Sequence, residues 1–177
     1  TSKVASFKFK VLGKFKNHTT YKVYYLGKNG GGNQVTIPTA QTQTKPNATD
    51  HLGDSGDYGT ATATGTIGGD VFSFQLEHQA TYLVFQPYTS NAILQNCYLT
   101  KVEVTSDNDI AETYTVNTST DNLDASAVTD GKKIVLTTSG SSTNPNGFPL
   151  SNSSASVATN GAYMVIKPGT HILKVAL

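Results

Sequence analysis

The chain has 177 residues and contains no arginine, no tryptophan, one cysteine and one methionine; all 13 basic residues are lysine. Without arginine there is no planar guanidinium fork for phosphate or guanine, which argues against sequence-specific DNA reading. A net charge of +1 does not drive strong non-specific nucleic-acid binding. Charged residues make up 14% of the chain, too few for the salt-bridged surfaces of helical bundles or coiled coils. No apolar run reaches the roughly 18 residues of a membrane-spanning helix. One cysteine rules out an intrachain disulfide. Cys97, between Leu94 and Leu99, reads as a small buried hydrophobe, with no base nearby to make it a reactive thiol.

What is abundant is Thr, Ser and Asn, at 26, 15 and 13 residues, a composition of strand faces and turns. Phe7, Phe9, Val11 and Phe15 share one parity and Lys8, Lys10, Lys14 and Lys16 the other, which predicts a first strand with one buried and one wet face. Residues 21–25 follow as a second strand, and Asn29-Gly30 marks a hairpin turn into residues 34–37. Residues 39–69 are polar with little periodicity and predict a long loop, with residues 60–66 as an edge piece. Phe72, Phe74, Leu76 and His78 alternate with polar residues. Tyr82-Leu83-Val84-Phe85 is apolar on both parities and predicts a central strand ended by Pro87. Further strands are expected at residues 98–104, 114–116 and 132–136, the last entered by an Asp130-Gly131 turn from residues 127–129. Residues 163–166 and 171–177 are expected to close a hairpin around Pro168-Gly169. Some ten short, mostly antiparallel strands without a convincing helix give an all-β fold, a β-sandwich.

Candidate chemistry is sparse. His18, His51, His78 and His171 are far apart and lack metal-motif neighbours, and His78 reads as a core or rim histidine. Asp50, Asp54 and Asp57 lie in a Gly/Ser loop; turn formation is the simpler reading and a calcium site the sharper one. The glycine clusters at 27–32 and 65–69 lack the Lys-Ser/Thr of a phosphate loop. No paired carboxylates or nucleophile elbow stand out, so neither a catalytic site nor a cofactor is expected. Exposed tyrosines offer stacking faces for sugars, with Tyr58 and Tyr88 as the candidates.

From residue 21 onward the chain resembles the fimbrillin-like proteins of Bacteroidales, the subunits of type V pili. The stretches that carry the likeness are Val35-Thr36-Ile37-Pro38, Gln41-Thr42-Gln43-Thr44, Asp50-His51-Leu52-Gly53 and Asp57-Tyr58-Gly59-Thr60-Ala61. They continue through residues 72–83, residues 99–106 and Gly161-Ala162-Tyr163-Met164-Val165-Ile166. The resemblance implies a transthyretin-like β-sandwich for residues 1–160, with residues 161–177 as the opening hairpin of a second β-domain. It implies a non-enzymatic structural or adhesive pilus subunit, exported as a lipoprotein precursor to the outer membrane and cell surface. Its partners would be neighbouring subunits, joined by strand exchange, and surface glycans or proteins. The alternative is a secreted carbohydrate-binding module. The apolar terminal segments, Phe7, Phe9 and Val11 at one end and Ile172, Leu173, Val175 and Leu177 at the other, are the expected assembly elements. The chain opens without an initiator Met, as expected of a mature form, a trimmed form or a proteolytic fragment, and it closes on a strand pattern, as expected of a chain cut mid-domain or one whose last strand needs a partner.

Charge is unevenly placed. Residues 1–49 hold 8 Lys and no acid, and the remainder holds 5 Lys against 12 acids, so +8 is set against −7. Lysines on an exposed strand block unwanted edge pairing. The same basic region also suits an acidic surface on the next subunit, or an anionic glycan or lipid surface.

Overall fold

A computed structural model describes residues 8–13, 15–124 and 131–177. In these the chain is all-β. In order, the strands are β1 (Thr20–Tyr25), β2 (Gln34–Thr36), β3 (Ala40–Thr42), β4 (Gly59–Gly65), β5 (Phe72–Ser73), β6 (Glu77–His78), β7 (Thr81–Phe85), β8 (Tyr98–Leu99), β9 (Lys101–Ser106), β10 (Thr113–Val116), β11 (Leu123–Asp124), β12 (Lys133–Thr137), β13 (Phe148–Pro149), β14 (Ala162–Ile166) and β15 (Leu173–Ala176). One helical turn, α1 (Val157–Asn160), is capped by the Ser156 side chain. The strands form sheets of order β1-β4-β5, with β6 also on β4, then β11-β10-β2, β15-β9-β12-β3, β13-β8 and β14-β7. Every named strand pair is antiparallel except β12 with β3.

Period-two patterning builds the core directly. Val102 and Val104 of β9, Tyr114 and Val116 of β10, and Ile134 and Leu136 of β12 are all buried, while the residues between them are not. They join Val35, Ile37, Leu99, Ile110, Phe148 and β14 in one cluster. Apolar burial on this scale is the main stabilising term. Residues 34–42 pass from one sheet to another at Ile37-Pro38, between β2 on β10 and β3 on β12. Pro38 suits the switch, where no ladder donor is required.

Several local expectations give way to pairing. The hairpin turn expected at Asn29-Gly30 sits instead on Gly32-Asn33, both at positive φ (58° and 70°), closed by reciprocal bonds between Gly31 and Gln34. It does not join β1 to β2, because β1 pairs with β4. The piece at residues 60–66 is not an edge: β4 has β1 on one side and β5 and β6 on the other. Residues 72–78 keep one register along β4, Thr64↔Ser73 and Thr60↔Glu77, but residues 74–76 leave the ladder. Residues 8–13 form no strand, so the expected first strand is absent there. Its Phe7 and the residue 127–129 arm of the Asp130-Gly131 hairpin lie outside the described residues.

Among the described residues the strand expected to be central, β7, pairs only with β14, and Val84 is exposed. The interior strand is β14, with Ala162, Met164, Val165 and Ile166 buried across both parities. β14 and β15 form no hairpin with each other. β14 pairs with β7 and β15 with β9, so both strands pair with strands from earlier in the chain.

The edge of β14 facing away from β7 meets side chains rather than a strand. Gln43 accepts from the Tyr163 N–H at 2.7 Å and donates to the Gly161 carbonyl at 2.9 Å. Gln41 accepts from the Val165 N–H at 3.0 Å and donates to the Val165 carbonyl at 2.7 Å. Both glutamines are buried. Each primary amide stands in for a peptide group and continues the ladder from β3 to β14. Replacing Gln43 by Met keeps the volume but leaves the buried Tyr163 N–H unpaired, a loss of about 1–3 kcal/mol. Urea denaturation of Gln43→Met and Gln41→Met should show lowered midpoints at unchanged slope.

Candidate functional site

The candidate assembly elements are the two terminal segments. β15 lies at the outer edge of the sheet β15-β9-β12-β3, paired with β9 from Leu173↔Ser106 to Ala176↔Glu103. Its start is fixed by polar contacts. The Ile172 N–H donates to Asp107 Oδ1 at 2.9 Å, the Asp107 N–H donates to the Ile172 carbonyl at 3.2 Å, and Asn108 donates to the Thr170 carbonyl at 3.0 Å. His171 bonds to Asn108 through Nδ1 and donates from Nε2 to the Lys167 carbonyl at 2.9 Å. The N–H of Ile172 holds the carboxylate of Asp107 below the usual range. Because Ile172 faces Asp107 through its backbone, alternation turns the backbone groups of Leu173, Val175 and Leu177 away from β9. Among the described residues no strand covers that side. Leu173 packs against the core, while Ile172, Val175 and Leu177 are exposed.

At the other end, Phe9 and Val11 are exposed rather than buried, and residues 8–13 form no strand. The phenyl ring of Phe9 still stacks on Phe74 at 6.5 Å between centroids.

The two stacking candidates separate. Tyr58 is 2% exposed and belongs to the core cluster, with its hydroxyl pKa pushed up to about 12 by burial, so it offers no face to a sugar. Tyr88 is 59% exposed, beside Thr89, whose N–H donates to the Asn152 carbonyl at 3.1 Å. Cys97, expected inside, is exposed, at the end of a short helical turn at Leu94–Asn96.

The aspartates of the 50–57 loop do not converge. Asp54 pairs with Lys28 at 2.8 Å. Asp57 accepts from the Tyr82 hydroxyl at 2.5 Å and contacts His78 Nδ1 at 2.9 Å, and the hydroxyl also lies 3.1 Å from that nitrogen. Burial and this carboxylate push the Tyr82 phenol well above its ordinary pKa. Among the described residues no three His, Cys, Asp or Glu are grouped to hold a metal ion. His78 lies exposed on β6 rather than in the core. Its link to Asp57 joins the end of the loop to β6 and β7.

Sequence reading missed His51. It lies in the turn before β4, where its Nε2 donates to the Tyr163 carbonyl at 2.9 Å, a third side-chain contact on the outer edge of β14. Asn47 adds its N–H to the Gly161 carbonyl at 2.8 Å, and its side chain accepts from the Tyr163 hydroxyl at 2.6 Å. The 43–58 loop is thus fastened along β14 rather than free. Its only sequence signal was the density of side chains with amide or imidazole donors.

Compared with known proteins, the chain matches no protein-family model, no curated protein and no solved structure.

Burial lowers the pKa of His51 from its ordinary 6.5. The unfolded chain therefore takes up this proton more readily than the folded one, and stability falls as pH drops below about 6.5 towards the lowered folded value. Urea midpoints at about pH 5 and pH 7.5 should differ in the intact chain. His51→Gln, which keeps a side-chain N–H donor without a titrating group, should reduce that difference.

Proposed function

We propose that the chain is a non-enzymatic, surface-displayed structural or adhesive subunit of the fimbrillin-like kind, assembling with neighbouring subunits through β-strand addition. The observation that carries this reading is the outward edge of β15. It ends a four-stranded sheet, turns the backbone groups of Leu173, Val175 and Leu177 away from β9, and displays Val175 and Leu177 beside them. Such an edge is a template for an incoming extended segment: main-chain hydrogen bonds supply affinity and alternate side chains supply register. Long, apolar, uncovered edges are usually blunted by charge or proline in stable monomers. Here Lys174 is the charged residue of β15.

A transthyretin-like topology and export to the outer membrane belong to this proposal as well, on the strength of the sequence resemblance. For the carbohydrate-binding alternative, Tyr58 is buried, whereas Tyr88, Tyr25 and Tyr98 are exposed.

The test is strand addition to the intact chain. Fluorescently labelled peptides of residues 4–16 and 171–177 should be titrated with the protein, expecting saturable binding by at least one. Val175→Pro removes an outward-facing N–H while sparing the bonds to β9, a substitution that edge strands tolerate. It should abolish peptide binding with a loss of stability of less than about 1.5 kcal/mol. Failure of both peptides to bind, or binding that persists in Val175→Pro, would count against addition at β15.

A further inference from the structure

One end of the sheet β1-β4-β5 carries a surface that strand addition at β15 does not use. Residues 8–13 form no strand and touch this region through Phe9 on Phe74, and Phe9, Val11 and Leu12 are 71%, 67% and 88% exposed. Aromatic contacts fix the segment in place. Phe9 stacks on Phe74, Phe15 meets Tyr21 edge-on at 5.3 Å, and Tyr21 meets Phe72 edge-on at 5.1 Å. The Gly68 N–H donates to the Lys16 carbonyl at 3.2 Å, which draws the turn between β4 and β5 alongside. That turn exposes Ile67 and Val71. Lys8, Lys10 and Lys16 are exposed around these apolar groups, and Asp70 is the acidic residue of the turn.

Scattered apolar residues on a surface need no explanation, but exposed Phe9, Val11 and Leu12 close together in sequence and interleaved with exposed Lys8 and Lys10 do. Such a combination is the pattern of interfacial membrane binding, in which apolar side chains enter the headgroup boundary and lysines meet anionic lipid. Long lysine stems can lie along the apolar zone with the ammonium at the headgroups. A soluble polyanion, such as a sulfated glycan or a nucleic acid, would be served by the lysines and would leave Val11 and Leu12 in water.

We propose that this face docks on the surface of a bilayer containing anionic lipid, with Phe9, Val11 and Leu12 entering the headgroup boundary and Lys8, Lys10 and Lys16 against the lipid charge. The docking is peripheral and requires no spanning segment. It places this end of the sheet β1-β4-β5 against the membrane.

Co-sedimentation of the full chain with phosphatidylcholine vesicles, with and without phosphatidylglycerol, tests this. Binding to the anionic vesicles should exceed binding to the neutral ones by at least about tenfold at low salt, and fall as salt rises. Val11→Ser/Leu12→Ser and Lys8→Ser/Lys10→Ser should each lower the vesicle-bound partition about tenfold or more. These four side chains are exposed, so circular dichroism and urea midpoints should be unchanged. Val175→Pro should bind vesicles like the parent, which separates failure of lipid docking from failure of strand addition. Absence of binding to anionic vesicles at low salt overturns the proposal. So does vesicle binding that survives both double substitutions. Binding to dextran sulfate but not to vesicles would assign the face to a soluble polyanion instead.

Discussion

The structure depends on two glutamine side chains acting as backbone. β14 is the most interior strand of the molecule, yet it has a strand partner, β7, on only one side. Its other side carries peptide N–H and C=O groups that are buried at Gly161 and Val165 and part-buried at Tyr163, and a buried one left unpaired would cost a substantial part of a marginal total stability. Gln41 and Gln43 present amides at the spacing of alternate residues, matching the spacing of the groups they meet on β14. A hydroxyl is too short and a carboxylate cannot donate, whereas a primary amide both donates and accepts, as a peptide does. This joins β14-β7 to β15-β9-β12-β3 without a continuous ladder. His51 and Asn47 extend the same fastening along the loop that follows β3.

Much of the fold could be read from alternation. β9 and β10 follow apolar residues at every second position, and their buried faces are those the pattern indicates. What alternation cannot carry is the identity of the partner. Phe9 and Val11 belong to as clear a two-residue pattern as any, but residues 8–13 join no sheet. Tyr82-Leu83-Val84-Phe85 and Ala162-Tyr163-Met164-Val165-Ile166 look equally apolar, and only pairing makes the second interior and the first peripheral. Gln41-Thr42-Gln43-Thr44 read as polar loop because polarity usually means exposure. Its regular alternation of amide and hydroxyl was the available clue.

The candidate site divides in the same way. The C-terminal segment was legible as a strand with apolar residues to spare, and β15 is an edge strand displaying them. Tyr58 was not legible, because a tyrosine in a polar, glycine-rich loop gives no sign that the loop folds over it. The aspartate cluster likewise dissolves into separate partners, Lys28 for Asp54 and Tyr82 with His78 for Asp57. Sequence proximity supplied candidates for a cation site, but side-chain direction sent them elsewhere.

The amide bridges also dictate an order of events in making the protein. Gln41 and its partner Val165 are separated by 124 residues, and Gln43 and Gly161 by 118. β3 lies parallel to β12, a pairing that no short turn can nucleate. Contacts of such long range form slowly, since loop closure must precede any reward from packing. A chain emerging from its N-terminus therefore carries β3, Gln41 and Gln43 as an unfinished edge until β14 has been made. During that interval the exposed strands are open to capture by other chains. The protein is thus one whose yield should depend on being kept apart from its own copies until β14 has docked.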